Sequence, residues 1–230
     1  MQLAIVIPAL NEAATIEAAL QRLAPLRQRG ARVIVVDGGS HDGTAARAAP
    51  FADRVLASPR GRAVQMNAGA QAEEARSADV LLFLHADTRL PEDADRIVQR
   101  ALADGAHSWG RFDVRLDAEG WQLRLIEALM NWRSRTTGIA TGDQAIFVTR
   151  SAFSWLNGFA PLPLMEDIDF SGRAKRLTTP AALRDRVLTS ARRWQRHGLW
   201  RTVLLMWRLR LAYFFGADPQ VLARRYRDAR

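Results

Sequence analysis

Short apolar runs that alternate with longer amphipathic segments constrain the fold of this chain more than any other feature. The apolar runs have the length of strands and lie at residues 3–7, 32–36, 55–57, 80–84, 109–116 and 145–148. Helical patterns lie between and after them, at residues 13–29, 43–49, 61–75, 91–102 and 166–176. This alternation predicts the α/β class, with a mostly parallel central sheet and helices on both faces.

Polar residues follow three of the predicted strands. Asn11 and Glu12 follow the first strand, Asp37 begins the segment after the second, and His85 and Asp87 follow the run at 80–84. The carboxyl ends of parallel strands share one edge of a sheet, which is where open α/β sheets bind their ligands. The sequence therefore predicts one composite site.

Each polar segment alone also has a purely structural interpretation. Residues 85–88 would form a solvated turn, residues 37–44 a capped helix start, and the acids at 166–169 a helix start that complements its dipole. The glycines at 38 and 39 would instead let the backbone turn beside a planar ligand. The spacing of the glycines in residues 37–44 does not match the dinucleotide fingerprint, and the lysine of a P-loop is missing. Hydride transfer and ordinary ATP hydrolysis are therefore disfavoured as functions.

Charge and composition narrow the ligand class. The 230 residues carry 33 Lys and Arg against 24 Asp and Glu, a formal charge of +9 that favours phosphorylated ligands, acidic lipids or nucleic acid. There is no cysteine, so any metal must be held by oxygen or imidazole. The chain enters a strand directly after Met1 and Gln2, without a signal peptide pattern, so a cytoplasmic location is expected.

Four motifs in order resemble those of the family 2 glycosyltransferases, and the resemblance covers most of the chain. They lie at residues 5–13, 35–44, 85–87 and 166–170. The short length and the late Arg192-Arg193-Trp194 resemble a small bacterial branch of that family. The resemblance implies a GT-A fold, a nucleotide-sugar donor, a divalent metal (Mn²⁺ or Mg²⁺) and inversion at the anomeric carbon. A uridine-linked donor is expected over a guanosine-linked one.

The resemblance also implies roles for individual residues. Asp87 would bind the metal and Asp167 would be the general base, while Asp37 would face the nucleotide base. The family motif usually has an acid where this chain has His85, and an imidazole there would make the ribose contact. The remaining donor-pocket residues implied by the matched motifs are Pro8, Asn11, Glu12, Gly39, Asp42 and Ala86.

Further candidates flank these motifs. Arg62 and Asn67 lie at the start of a predicted helix and are predicted to cradle the diphosphate. Crowding of Glu166 with its acidic neighbours predicts one raised pKa. The segment of Gly142, Asp143 and Gln144 is predicted to contact the sugar or the acceptor. Arg193 and Trp194 resemble a family element that closes over the donor.

Two amphipathic helices complete the prediction. The apolar stripe of Trp121, Leu125, Leu129 and Trp132 is predicted to face the core. A final helix over 199–215 has an apolar stripe too short to span a bilayer, which suits the membrane interface, the catalytic domain or a second subunit. Residues 1–198 are therefore expected to form the catalytic domain and residues 199–230 a C-terminal helical appendage.

These observations predict a cytoplasmic enzyme, acting in solution or at the inner face of the membrane. Its partners would be a nucleotide sugar, a free or lipid-linked hydroxyl acceptor, and a second copy of the chain, but not nucleic acid. A sugar nucleotidyltransferase is the alternative enzyme, although residues 9–12 lack the expected glycine-rich signature. A non-catalytic basic protein bound to anionic lipid or nucleic acid is the alternative from another class.

Overall fold

An eight-stranded sheet forms the centre of the computed structural model, which describes residues 1–192 and 198–228. The strands are β1 (Leu3–Ala9), β2 (Arg32–Asp37), β3 (Arg54–Ala57), β4 (Val80–Phe83), β5 (Thr88–Arg89), β6 (Trp109–Leu116), β7 (Phe147–Thr149) and β8 (Ala181–Thr189). Their spatial order is β3-β2-β1-β4-β7-β6-β8-β5.

Eleven α-helices are assigned within the described residues. They are α1 (Ile16–Gln21), α2 (Ala24–Gln28), α3 (Thr44–Ala48), α4 (Arg62–Ala70), α5 (Glu73–Arg76), α6 (Ala94–Leu102), α7 (Trp121–Thr137), α8 (Arg150–Trp155), α9 (Glu166–Ala174), α10 (Leu199–Phe214) and α11 (Pro219–Asp228). The helices predicted over 13–29 and 61–75 are each divided in two. Pro25 lies in the first turn of α2, a position that suits a new helix start.

The direction of the strands confirms the predicted α/β class. β1 pairs in parallel with β2 and β4, and β2 with β3, while β6 is parallel to β8. β7 runs antiparallel to β4 and β6, and the short β5 antiparallel to β8. The sheet is thus mixed but mostly parallel.

Both faces of the sheet are covered, which explains the continuous apolar runs. Ile5 and Ile7 of β1 pack in one core cluster with residues of α1, α2 and α6. Ala4 and Val6 point to the opposite face, into a second cluster with residues of α4, α8 and α9. A strand buried on both faces gains from apolar residues at every position.

The stripe predicted as core on α7 faces solvent instead. Trp121 and Trp132 are 69% and 65% exposed, and Leu125 and Leu129 are also exposed. The buried face of α7 carries Leu123, Ile126, Glu127 and Ser134. The prediction was wrong because helical spacing defines an apolar face without saying which face meets the protein.

The C-terminal helices pack on the rest of the molecule through their other side. Leu209 of α10 and Leu222 of α11 are buried in a cluster with Met165, which precedes α9. Within the described residues, no helix is long and apolar enough to cross a membrane. The predicted boundary at residue 198 stays a prediction.

Candidate functional site

The predicted polar segments do share one edge of the sheet. β2, β1 and β4 are neighbours and run in parallel, so the segments after Asp37, Ala9 and Phe83 leave the sheet on the same side. Pro8 lies inside β1 opposite Val36. The three polar segments therefore lie along one edge of the sheet, and their joint use as one ligand site stays a prediction.

The loops after β1 and β2 are hydrogen-bonded to each other. Asn11, at φ 54°, donates its backbone N–H to Oγ of Ser40 at 2.9 Å and accepts at Oδ1 from the N–H of His41 at 3.1 Å. The N–H of Glu12 donates to Oγ1 of Thr44 at 2.8 Å. These bonds hold one wall of the site in place before any ligand arrives.

Asp42 and Asp37, which were predicted to contact the donor, accept hydrogen bonds from other groups of these two loops. Both oxygens of Asp42 accept hydrogen bonds, from the N–H of Ala13 and from Thr44, and the Thr44 hydroxyl is the main reason that the pKa of Asp42 is lowered. Asp37 is buried and accepts from the N–H groups of Gly39, at φ 87°, and Ser40, whose hydroxyl also donates to it. Their contacts with a nucleotide stay predictions.

Gln65 is a buried residue that sequence reasoning missed. Its Nε2 donates to the carbonyl oxygens of Ala9 and Val36, both at 2.8 Å. It thereby ties α4 to the ends of β1 and β2, directly beneath Gly38, where an added Cβ would lie 3.0 Å from the Gln65 amide. An amide on a short amphipathic helix gave no signal of this role.

Arg62 is the predicted diphosphate contact that remains available to a ligand. It starts α4 and stays exposed to solvent. Desolvation by the surrounding protein atoms lowers the pKa of Arg62, but the charge of Glu166, followed by those of Tyr226, Asp167 and Asp87, outweighs it and raises the pKa above its ordinary value. One guanidinium thus lies in the field of the candidate metal ligand and of the candidate base.

Asn67, the other half of that predicted cradle, has a different position. Its Nδ2 donates to the carbonyl oxygen of Phe159 at 2.8 Å, and its Oδ1 accepts from the N–H of Phe159 at 2.9 Å. The amide tethers the 157–165 loop to α4. Because both ends of the amide are used, this geometry does not favour diphosphate binding by Asn67.

The segment after β4 turns sharply. The N–H of Thr88 donates to the carbonyl oxygen of His85 at 3.0 Å, and the side chain of Ala86 is buried in the core, so only its backbone is available to a ligand. The His85 ring lies against Gly142, where an added Cβ would be 2.5 Å from Nε2. His85 and the 142–144 segment therefore form one surface.

Residues Gly142–Gln144 form a 3₁₀ turn that contacts the base candidate. The N–H of Gly142 donates to Oδ2 of Asp167 at 2.8 Å. Gln144 has no exposed surface, and its amide bonds the N–H of Thr141 and the carbonyl oxygen of Phe112. Gln144 therefore does not fit the predicted contact with sugar or acceptor.

A small cavity joins these groups at the start of α9. Met66, Phe83, Ile146 and Phe159 form its apolar part, and the polar lining groups are His85, Gly142, Glu166 and Asp167. Desolvation there, followed by the charge of Asp167, raises the pKa of Glu166 from 4.5 to about 7. The predicted raised pKa is thus found, at Glu166.

Arg133 and Arg210 lie near the site and were also missed. Burial, followed by the charge of Arg210, lowers the pKa of Arg133 to about 10, while Asp143 and Asp167 act in the opposite direction. Nε and Nη2 of Arg133 are buried without a hydrogen-bond partner in the described part of the chain. Nothing in the sequence singled out Arg133 and Arg210, because arginines are common on the polar sides of amphipathic helices.

Metal ligation depends on few protein groups. In residues 1–192 and 198–228, no three carboxylate or imidazole side chains gather closely enough to hold a metal ion by themselves. Asp87 alone would suit a cation whose other ligands are diphosphate oxygens and water.

The predicted contacts of Arg193 and Trp194 lie outside the described residues, whereas Arg192 reaches Glu12 at 3.8 Å.

The mixed, mostly parallel sheet with helices on both faces belongs to the GT-A class of fold. The chain belongs to glycosyl transferase family 2, whose model matches residues 4–157. The resemblance predicted from the four motifs is therefore confirmed.

Individual relatives agree with this family. Over 111 residues the chain is 43% identical to the succinoglycan biosynthesis protein ExoA of Rhizobium meliloti, covering 45% of this chain and 34% of that protein. The matched segment thus spans about a third of that relative's length.

Solved structures show the same fold. A mannosyltransferase from Pyrobaculum calidifontis superposes with a TM-score of 0.63 at 19% identity, covering 91% of this chain and 60% of that one. Glucosyl-3-phosphoglycerate synthase from Mycobacterium tuberculosis gives a TM-score of 0.58 at 20% identity, covering 82% and 70%.

Proposed function

We propose that this chain transfers a sugar from a nucleotide-diphosphate donor to a hydroxyl acceptor, with inversion at the anomeric carbon. The observation that carries the proposal is the shared carboxyl edge of β1, β2 and β4, after which Asp87 lies, together with the cavity at the start of α9 that Asp167 lines. A cation-bearing cleft with a donor-side carboxylate and a second carboxylate across it suits a diphosphate leaving group and an incoming hydroxyl.

Asp167 acts as the general base in this proposal. Its two oxygens accept from the N–H groups of Gly142 and Ile168, so the carboxylate is oriented at the mouth of the cavity. It takes the proton of the acceptor hydroxyl as the oxygen bonds to the anomeric carbon. The bond from that carbon to the diphosphate oxygen breaks in the same displacement, which inverts the configuration.

Arg62 and Asp87 serve the donor. Arg62 offers a planar, charged fork to the leaving diphosphate. Asp87 would hold a divalent cation, which when bound offsets the negative charge on the diphosphate. The solved relatives support this assignment, since one was captured with Mn²⁺ and UDP and the other with GDP-mannose and Mn²⁺. We propose a uridine-linked donor for this chain.

A thermal-shift series tests the donor site. UDP and GDP would each be added with Mn²⁺ or Mg²⁺ and then with a chelator, and a metal-dependent rise in melting temperature is expected with UDP. Asp87→Asn should remove the metal-dependent part. Stabilisation by neither nucleotide under any condition would overturn the donor assignment.

The base assignment is tested separately, with water as the acceptor. Asp167→Asn should slow hydrolysis of the preferred nucleotide sugar by about 10²-fold or more while nucleotide binding stays within about twofold of wild type. Asp185→Asn, at an exposed position of β8, is the matched control and should change neither value. Equal loss of binding and hydrolysis would mean that Asp167 is structural.

A further inference from the structure

Helices α7 and α10 direct large apolar side chains towards solvent. On α7 these are Trp121, Leu125, Leu129 and Trp132, which are between 43% and 69% exposed. On α10 they are Trp200, Leu204, Trp207, Leu211 and Phe214, and Phe215 follows directly after the helix; these residues are between 58% and 82% exposed. We call these two stripes the α7–α10 face.

The two stripes lie on neighbouring helices. Leu123 and Ile126, on the inner side of α7, share an apolar cluster with Leu199 and Val203 of α10. Further along both helices, the charge of Arg210 acts on Arg133. Large exposed apolar patches are uncommon on soluble domains and mark interaction surfaces.

The charges on these helices restrict the partner. Arg201 and Arg208 are exposed on α10, and at about 100° per residue they lie along one edge of its apolar stripe. No acidic residue occurs in α10, and the only acid of α7, Glu127, is 6% exposed. The surface is apolar and basic, and the chain as a whole carries a formal charge of +9.

We propose that the α7–α10 face docks on an anionic phospholipid bilayer. Indole rings favour the headgroup region, where an apolar ring and a polar N–H are both satisfied, and four of the exposed residues are tryptophans. Leucine and phenylalanine side chains would enter the acyl boundary, and Arg201 and Arg208 would meet lipid phosphates.

A second copy of this chain fits the same surface less well. A two-fold interface would place the arginine edge of one copy against the same basic surface of the other, without an exposed acid on either helix to compensate. An anionic bilayer supplies the missing charge over the whole surface.

Docking would fix the orientation of the active site relative to the bilayer. This consequence rests on the proposed function. Met165 and Ile168, on either side of Asp167 in sequence, pack in one apolar cluster with Leu209 of α10, so α10 adjoins the candidate site. The acceptor would then be a membrane-borne hydroxyl compound that enters beside these helices.

Vesicle co-sedimentation tests the docking without donor or acceptor. Wild type should pellet with phosphatidylcholine vesicles containing phosphatidylglycerol and far less with phosphatidylcholine alone. The double variant Trp132→Ser/Trp207→Ser should bind at least about tenfold more weakly. Trp155→Ser, which removes a 72% exposed tryptophan of α8 outside this face, should bind like wild type.

The arginine edge is tested in the same assay. Arg201→Gln and Arg208→Gln should each weaken binding to the anionic vesicles by about fivefold and leave the phosphatidylcholine background unchanged. Circular dichroism and the nucleotide-dependent thermal shift of every variant should match wild type, because all substituted side chains are exposed.

Three results would overturn the docking proposal. They are failure of wild type to pellet with anionic vesicles, binding of the double tryptophan variant equal to wild type, and conversion of a dimer to a monomer by that variant with vesicle binding unchanged. In each case an intact nucleotide-dependent thermal shift would leave the proposed function standing.

Discussion

Glu166 shows how one buried side chain links the site to the stability of the chain. The residue is 6% exposed and lies beside Asp167, so the folded protein binds the carboxyl proton more tightly than the unfolded chain does. Between about pH 4.5 and 7 the unfolded chain loses this proton while the folded chain keeps it. Glu166 therefore lowers the free energy of unfolding as pH rises, fully so above about pH 7.

Glu166→Gln should remove this penalty. Relative to wild type, the variant should gain on the order of 2–3 kcal/mol in free energy of unfolding at pH 8 and close to nothing at pH 4. Urea unfolding at pH 4, 6 and 8 measures the difference. Glu119→Gln, at an exposed position, should shift stability little at every pH, and a pH-independent gain in Glu166→Gln would contradict the assignment.

At the scale of elements, the loop over 157–165 depends on one amide. Asn67 makes both its hydrogen bonds to the backbone of Phe159, so α4 holds the segment that leads to Met165 and the start of α9. Loss of this tether affects the loop more than the sheet beneath it.

Asn67→Ala should lower the free energy of unfolding by about 1–3 kcal/mol, because two hydrogen bonds are lost and the Phe159 backbone groups are left without partners. Gln71→Ala, at the exposed end of the same helix, is the matched control and should cost far less. Denaturant unfolding of both variants measures the difference. Equal effects would mean that the loop is held by packing alone.

Elements could be predicted from the sequence where their apolar residues form a clear pattern. The strand at Trp109–Leu116 agrees with its predicted range because its pattern is strong, whereas β8 was missed because Arg184, Asp185 and Arg186 interrupt its apolar residues. The α7 stripe was found but assigned to the wrong side. Periodicity records amphipathicity, and only tertiary packing decides which apolar surface is covered.

The site was predictable where chemistry and topology coincided. The shared edge and the acidic start of α9 followed from residue types at strand and helix ends, whereas the raised pKa of Glu166 owes more to burial than to the crowding that the sequence showed. What could not be predicted was the use of side chains within the protein. Some polar side chains form hydrogen bonds with backbone groups that are close in space but far away in sequence, as Asp42, Asn67 and Gln144 do. No local sequence pattern reveals such partners.

At the scale of the whole molecule, the C-terminal helices are joined to the candidate site through a small apolar cluster. Leu222 is fully buried there with Met165 and Leu209, and Ile168 packs against the same group. Asp167 lies between Met165 and Ile168 in sequence, so the docking of α10 and α11 supports the helix start that carries it.

Leu222→Ala should therefore loosen both regions. The cavity should cost about 2–4 kcal/mol, lower the melting temperature and expose residues 199–228 to limited proteolysis. Val221→Ala removes an exposed neighbour on the same helix and should leave protease resistance unchanged. If both variants resist proteolysis like wild type, the two helices are held by other contacts.

The contact between His85 and Gly142 couples two positions far apart in sequence. With histidine at 85, any side chain at 142 meets the imidazole at 2.5 Å, so a larger residue at 142 must turn the ring away from its present place. Substitutions at the two positions are therefore epistatic. A change at 142 displaces the His85 ring, and replacing His85 with a shorter side chain first makes that change tolerable.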